Sequence, residues 1–160
     1  MKIETSYLGN TLNVTALVNK SVVGVIETTL ISKEAVTSYM ESNALILSPN
    51  ATKNNWVYVN RMYVDPEYRQ QGVATKLLIN LLDSCRIYKL NILHVVNPQV
   101  DVRMQGVLKL LNRFNYTVLD VNEQSNTALT CRITTPHDLR SFQMQAMENL
   151  RRRKLSYMRL

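Results

Sequence analysis

The stretch from residue 72 to residue 86 constrains the fold more than any other. Ala74, Leu77, Leu78, Leu81, Leu82 and Cys85 recur at i, i+3, i+4, i+7, i+8 and i+11, while Thr75, Lys76, Asn80 and Asp83 take the opposite face. That spacing predicts an amphipathic helix with one broad apolar stripe. Two strand-like runs bracket it: residues 56–64, stopped by Asp65-Pro66, and residues 90–96, apolar enough to be buried on both faces. Strand, helix and strand in this order predict a crossover unit, whose helix needs a sheet to cover.

The rest of the chain supplies that sheet. Residues 2–31 read as three strands: Lys2 to Tyr7 alternates, Leu12, Val14, Ala16 and Val18 form a period-2 stripe, and residues 22–31 are rich in β-branched side chains. Gly9-Asn10 and Asn19-Lys20 break them into an antiparallel meander. Ser32 can cap a helix with Ala35, Val36, Tyr39 and Met40 at helical spacing, and a polar loop follows at residues 48–55. A second helix is expected over 101–114, with Met104, Val107, Leu108, Leu111 and Phe114 inward. Residues 116–121 and 127–134 flank the polar turn Glu123–Asn126 as a hairpin. Asp138 can cap a last helix carrying Leu139, Phe142, Ala146, Met147 and Leu150. The expected class is α+β (mixed α/β): a mostly antiparallel central sheet, a β-α-β-α-β-β core and an extra C-terminal helix. Residues 1–135 are read as one domain and 136–160 as a basic amphipathic tail.

Composition narrows the function classes. Of 160 residues 46% are apolar, enough for one core and too many for a disordered chain. Apolar runs are too short for a transmembrane helix, and the first residues lack the apolar stretch of a signal peptide, so a cytoplasmic protein without membrane contact is expected. Two cysteines without a CxxC pair and two histidines argue against a disulfide framework and a metal site. The net charge is +7, of which residues 136–160 carry +4. The basicity therefore belongs mostly to the tail.

Chemistry is concentrated in Val64-Asp65-Pro66-Glu67-Tyr68-Arg69-Gln70-Gln71-Gly72-Val73-Ala74-Thr75. A strand ends, a loop turns, and a helix begins at a glycine. The first amides of a helix have no internal partner and sit at the positive end of its dipole, so amides converging there suit an anion, phosphate above all. Gly72 and Ala74 put little or no side chain in the way, and Arg69 adds positive charge. A plain strand-to-helix turn with a glycine at its cap is the simpler reading of those residues alone.

The arrangement Arg69-x-x-Gly72-x-Ala74 between strand and helix resembles the acetyl-CoA-binding motif of the GCN5-related N-acetyltransferase (GNAT) superfamily, Gln/Arg-x-x-Gly-x-Gly/Ala. The strand ending in Val96-Asn97-Pro98, the helix 101–114 and the segment Arg113-Phe114-Asn115-Tyr116 follow in that family's order. Asn115 stands where relatives commonly have a glycine in the left-handed position after a helix. The resemblance covers residues 56–134 well and residues 2–31 only in their strands; the tail lies outside it. It implies a CoA pyrophosphate on the amides of Arg69, Gln70, Gln71, Gly72, Val73, Ala74 and Thr75. It implies a pantetheine arm along Met62, Tyr63 and Val64, lying between that strand and residues 90–96, with Asn97 among the cofactor-binding positions. The acetyl thioester would sit where the two strands part, and the acceptor amine would come from the opposite side.

The chain also departs from that family. Acetyl transfer needs a neutral amine, hence a base, whereas a thiolate leaves with little help. Many relatives carry a carboxylate on the strand equivalent to 56–64, which here offers only Tyr58, Asn60, Arg61 and Tyr63. The helix-end tyrosine of many relatives aligns with Leu111, and their pantetheine-contacting asparagine falls near Met104. His94 is the remaining candidate base, against the plainer role of a satisfied core histidine. Tyr58 and Tyr63 are candidate acids on a strand where tyrosines usually pack. Glu27, Glu41 and Glu67 read as surface acids and Cys85 as a packed residue.

The leading expectation is an N-acetyltransferase using acetyl-CoA on a primary amine of a protein or small molecule. The alternative is a catalytically weak GNAT-like interaction module. Arg151-Arg152-Arg153-Lys154 could contact nucleic acid or another acidic partner, and Met144, Met147, Leu150, Leu155 and Met158 suit self-association or partner docking.

Overall fold

The computed structural model describes residues 1–43, 45, 54–97, 104–122, 124–134, 147, 148 and 151. Its strands are β1 (Lys2–Leu8), β2 (Thr11–Val18), β3 (Ser21–Ile31), β4 (Asn55–Val64), β5 (Leu90–Val96), β6 (Thr117–Asn122) and β7 (Thr127–Arg132). Its helices are α1 (Lys33–Ser42), α2 (Val73–Tyr88) and α3 (Met104–Arg113). The strands form one sheet in the order β1-β2-β3-β4-β5-β7-β6. All neighbours run antiparallel except β4 and β5. The fold is α+β, with the expected β-α-β-α-β-β core following a three-strand meander.

Local chemistry explains the elements. Asn19 and Lys20 both have positive φ, 51° and 67°, the backbone of a two-residue hairpin turn whose twist matches its strands. Ser32 accepts from the Ala35 amide at 3.0 Å and opens α1 as expected. Of the four apolar positions expected inward on α1, only Val36 and Met40 are buried; Ala35 and Tyr39 are exposed. Asn115, φ 66°, takes the left-handed position after α3. Of the polar loop expected at 48–55, Asn55 instead opens β4 and residues 48–53 lie outside the described residues, as do the first residues expected in the helix 101–114, Glu123 of the hairpin turn and the tail boundary at 135/136. So does the expected tail helix, except Met147, Glu148 and Arg151, which are helical.

The sheet separates two apolar layers. On one face α2 and α3 pack Leu77, Leu78, Leu81, Cys85 and Leu111 against Val14, Ile26, Val57, Ile92 and neighbours. On the other, Val36 and Met40 of α1 cover Trp56, Leu93, Leu119 and Cys131. β4 serves both layers through a bulge. Glu27 pairs with Arg61 and Thr28 with Val59, leaving Asn60 as an extra residue. The extra residue re-phases the strand, so that Val57 and Val59 before it and Met62 and Val64 after it share the α2 face. Gly24 of β3 admits α2 closely: a Cβ there would lie 3.1 Å from both Leu77 Cδ1 and Val73 Cγ1. Among the described residues no helix is long and apolar enough to cross a membrane, and no group of three or more His, Cys, Asp or Glu side chains is placed to hold a metal ion.

Candidate functional site

The site begins where β4 stops. The Asp65 amide donates to the Val23 carbonyl at 2.8 Å, and Pro66–Tyr68 makes one tight helical turn. The loop then needs left-handed backbone twice, at Gln70 (φ 63°) and Gly72 (φ 79°). Gly72 bears this without strain; Gln70 does not have that freedom, and nothing in its residue type marks it for such backbone. Gly72 caps α2 through its carbonyl, which accepts from the Lys76 amide at 3.1 Å, and no side chain caps the first amides. A Cβ built on Gly72 meets nothing within 4 Å, so the space over the helix start is open. Alternating left-handed residues before an uncapped helix start make a concavity of amides suited to an anion.

This concavity is one end of a cavity of about 660 Å³. Met62, Tyr63 and Val64 line it from β4, Arg69, Gln70 and Gly72 from the loop, and Val73, Ala74 and Thr75 from α2. Nine of the candidate cofactor positions thus come together in one cleft. Two do not line it. Gln71 turns back, its Nε2 donating to the Glu67 carbonyl at 2.9 Å, and Asn97 lies beyond the end of β5. Pro66 and Tyr68 line the cleft unforeseen, as do Gly106, Val107 and Leu110 of α3. Val107 belongs to the apolar stripe expected to face inward and borders core and cleft together, whereas Gly106 and Leu110 lie off that stripe and so carried no sequence signal.

The strands part as the resemblance implied. β4 and β5 pair in parallel from Asn55↔Leu90 to Tyr58↔Leu93 and no further. Beyond that point Val59–Val64 and His94–Val96 share no ladder, and the β5-facing side of Met62–Val64 has no strand neighbour among the described residues. His94 is the first β5 residue past the shared ladder, and its carbonyl accepts from Thr130 Oγ1 at 2.8 Å. Its side chain, on the face of Ile92 and Val96, is only 2% exposed and does not line the cleft.

Four other assignments are corrected or sharpened. Leu111, aligned with a catalytic tyrosine, faces the core at 1% exposure rather than the cleft. Tyr58 packs on the α1 side of the sheet, close enough to Tyr39 that burial, with Tyr58's help, raises the Tyr39 phenol above its ordinary pKa. Cys85 is fully buried, and burial pushes its thiol up to about 12, which removes it as a nucleophile. Arg69 is braced rather than free: its Nε donates to Val64 O, and Arg61 and Arg69 stand over the Tyr63 ring at 5.6 and 5.7 Å. Among the described residues that line the cleft there is no Asp, Glu or His.

Among the described residues, the parallel pair β4–β5, its early end and the uncapped start of α2 thus frame one continuous cleft. The family model of the acetyltransferase (GNAT) family matches residues 4–113, and the chain belongs to that family. Among solved structures, the chain is similar to Arabidopsis thaliana Naa50 in complex with a bisubstrate analogue, CoA-Ac-MVNAL. The two are 20% identical, with a TM-score of 0.54 over 75% of this chain and 71% of that one. It is also similar to Arabidopsis thaliana NAA60 in complex with acetyl-CoA, at 12% identity and a TM-score of 0.54 over 78% of this chain and 75% of that one. At such identities the likeness is one of fold. No curated protein matches the sequence.

Proposed function

We propose that this protein is an N-acetyltransferase that moves an acetyl group from acetyl-CoA to a primary amine. The observation that carries this reading is the cleft itself: an uncapped helix start with open space over Gly72, continuous with the unpaired side of Met62–Val64. The amides of Gln70 to Thr75 would hold the pyrophosphate, and β4 would present main-chain partners to the pantetheine amides. The reaction is attack of a neutral amine on the thioester carbonyl, forming a C–N bond and releasing CoA thiolate. His94, at the point where the strands part, is the proposed base; its burial calls for a water or a side-chain shift to reach the amine.

Thermal denaturation with acetyl-CoA tests the ligand. The melting temperature should rise with the logarithm of ligand concentration, and Gly72→Glu, which sets a carboxylate over the helix start, should abolish the rise. No shift at millimolar acetyl-CoA would overturn the assignment. Thiol release on a panel of peptides and small amines then tests transfer. His94→Gln should lower the rate by about 10²–10⁴-fold and remove the acidic limb of the pH–rate profile. The second reading, a CoA-binding interaction module without turnover, is favoured by the lack of acid or histidine among the described residues that line the cleft. Its signature is a full thermal shift with no thiol release on any acceptor.

A further inference from the structure

The sheet ends at β1, and β1 is an edge of unusual make-up. No described strand pairs with its outer side. Natural sheets blunt such edges with prolines, bulges or runs of lysine. β1 has no proline, its ladder to β2 runs without a register shift, and Lys2 is its one lysine. Lys2 is moreover ion-paired to Glu4 at 3.1 Å. Beside the edge lies an exposed aromatic pair: the Tyr7 ring sits 4.6 Å from that of Tyr88 at the end of α2, where the preceding Ile87 is 67% exposed, and Leu8, the next residue of β1, is 76% exposed on the opposite face. Neither feature takes part in the cleft.

The strand is also self-complementary. We infer that β1 pairs with β1 of a second copy of this chain, antiparallel about a two-fold axis through Thr5, so that two sheets become one. In that register Thr5 opposes its own copy, Ile3 opposes the partner's Tyr7, and Tyr7 opposes the partner's Ile3. Threonine pairs and aromatic–β-branched pairs are favourable cross-strand combinations. Glu4 falls opposite the partner's Ser6 and Lys2 opposite the partner's Leu8, so no like charges oppose each other. The two-fold register centred on Glu4 opposes glutamate to glutamate, which disfavours it. The one centred on Ile3 leaves Ser6, Tyr7 and Leu8 unpaired. Only the Thr5-centred register pairs every residue of β1 without a charge conflict. A seven-residue edge alone falls short of the roughly 800 Å² per partner of a standard interface. The end of α2, with exposed Ile87 and Tyr88 beside Tyr7, extends the contact.

The test is the mass of the full chain in solution. Analytical ultracentrifugation should find a species of twice 18.4 kDa that dissociates on dilution. Tyr7→Glu alters an exposed position and removes both symmetry-related aromatic pairs. It should raise the dissociation constant by about tenfold or more while leaving the circular dichroism spectrum unchanged. Register is read by cross-linking: Thr5→Cys should form an interchain disulfide under mild oxidant, and Ser6→Cys, opposite a glutamate, should form far less. Cys85 and Cys131 are buried and do not compete. A monomer at all concentrations overturns the inference. So does a dimer indifferent to Tyr7→Glu, which would place the interface elsewhere, or equal cross-linking at both positions.

Discussion

Arg69 Nε donates to the carbonyl of Val64 at 2.9 Å, tying the loop that opens α2 to the last residue of β4. The same guanidinium stacks on Tyr63, so one side chain fixes both the strand end and the loop. Lysine has neither the planar face nor the fixed donor geometry. Arg69→Lys should weaken acetyl-CoA binding by about tenfold, since a part-buried charged hydrogen bond is worth ~1.5–3 kcal/mol and only part of it reaches the ligand. Titration calorimetry on folded protein checks this; affinity unchanged within twofold would show that the brace is dispensable.

Gly24 sets how closely α2 approaches the sheet. Gly24→Val should destabilise the fold by ~1–3 kcal/mol, because branched carbons must displace Leu77 and Val73. The displaced residues lie in the first turns of α2, so acetyl-CoA affinity should fall with stability. Urea unfolding and ligand titration on the same variant check both effects.

Leu111 faces the core, so Leu111→Tyr cannot supply an acid to the cleft. The added ring should cost ~1–3 kcal/mol by overpacking and leave the pH–rate profile without a new limb. A variant that keeps wild-type stability and gains a new limb would return the tyrosine position to the site.

Stability should fall at alkaline pH through the buried thiols. Burial raises Cys85 to about 12, with nearby Arg132 pulling slightly the other way, and raises Cys131 well above its ordinary value. An unfolded thiol titrates near ~8.5, so below that pH both states hold the proton and the contribution is fully present. Above it the unfolded chain releases protons that the folded chain keeps. Stability is therefore lost as pH rises towards 12, by about 1.4 kcal/mol per unit for each thiol. Urea unfolding at pH 8, 9 and 10 should show this slope, and Cys85→Ala should remove about half of it whatever its cost at neutral pH.

The periodic parts of this fold were readable before any coordinates. The stripe from Leu77 to Cys85 specified α2, and residues 90–96 specified β5 to the residue. Most of the cleft positions followed from the family resemblance carried by Arg69, Gly72 and Ala74, since those residues alone read as a plain strand-to-helix turn. What escaped depended on neighbours distant in sequence. The Asn60 bulge exists only in pairing with β3, so it could not be seen in β4 alone. The left-handed Gln70 and Lys89 are imposed by chain direction rather than residue preference. Leu111 and Leu110 are adjacent in sequence and equally apolar, yet one faces the core and the other the cleft. Their assignment needs the position of α3 over the sheet.

The four-pair parallel ladder between β4 and β5 has an energetic consequence for ligand capture. Opening a groove between two bonded strands would mean breaking main-chain hydrogen bonds for each residue uncovered. Here the chain has already parted its strands during folding, and Leu77, Leu81, Val57 and Ile92 beneath α2 hold the divergent arrangement in place. In the proposed complex, a linear amide-bearing guest laid along Met62 to Val64 competes with no strand among the described residues. The wedge is thus a cost met once, when the protein folds, and not again at each turnover.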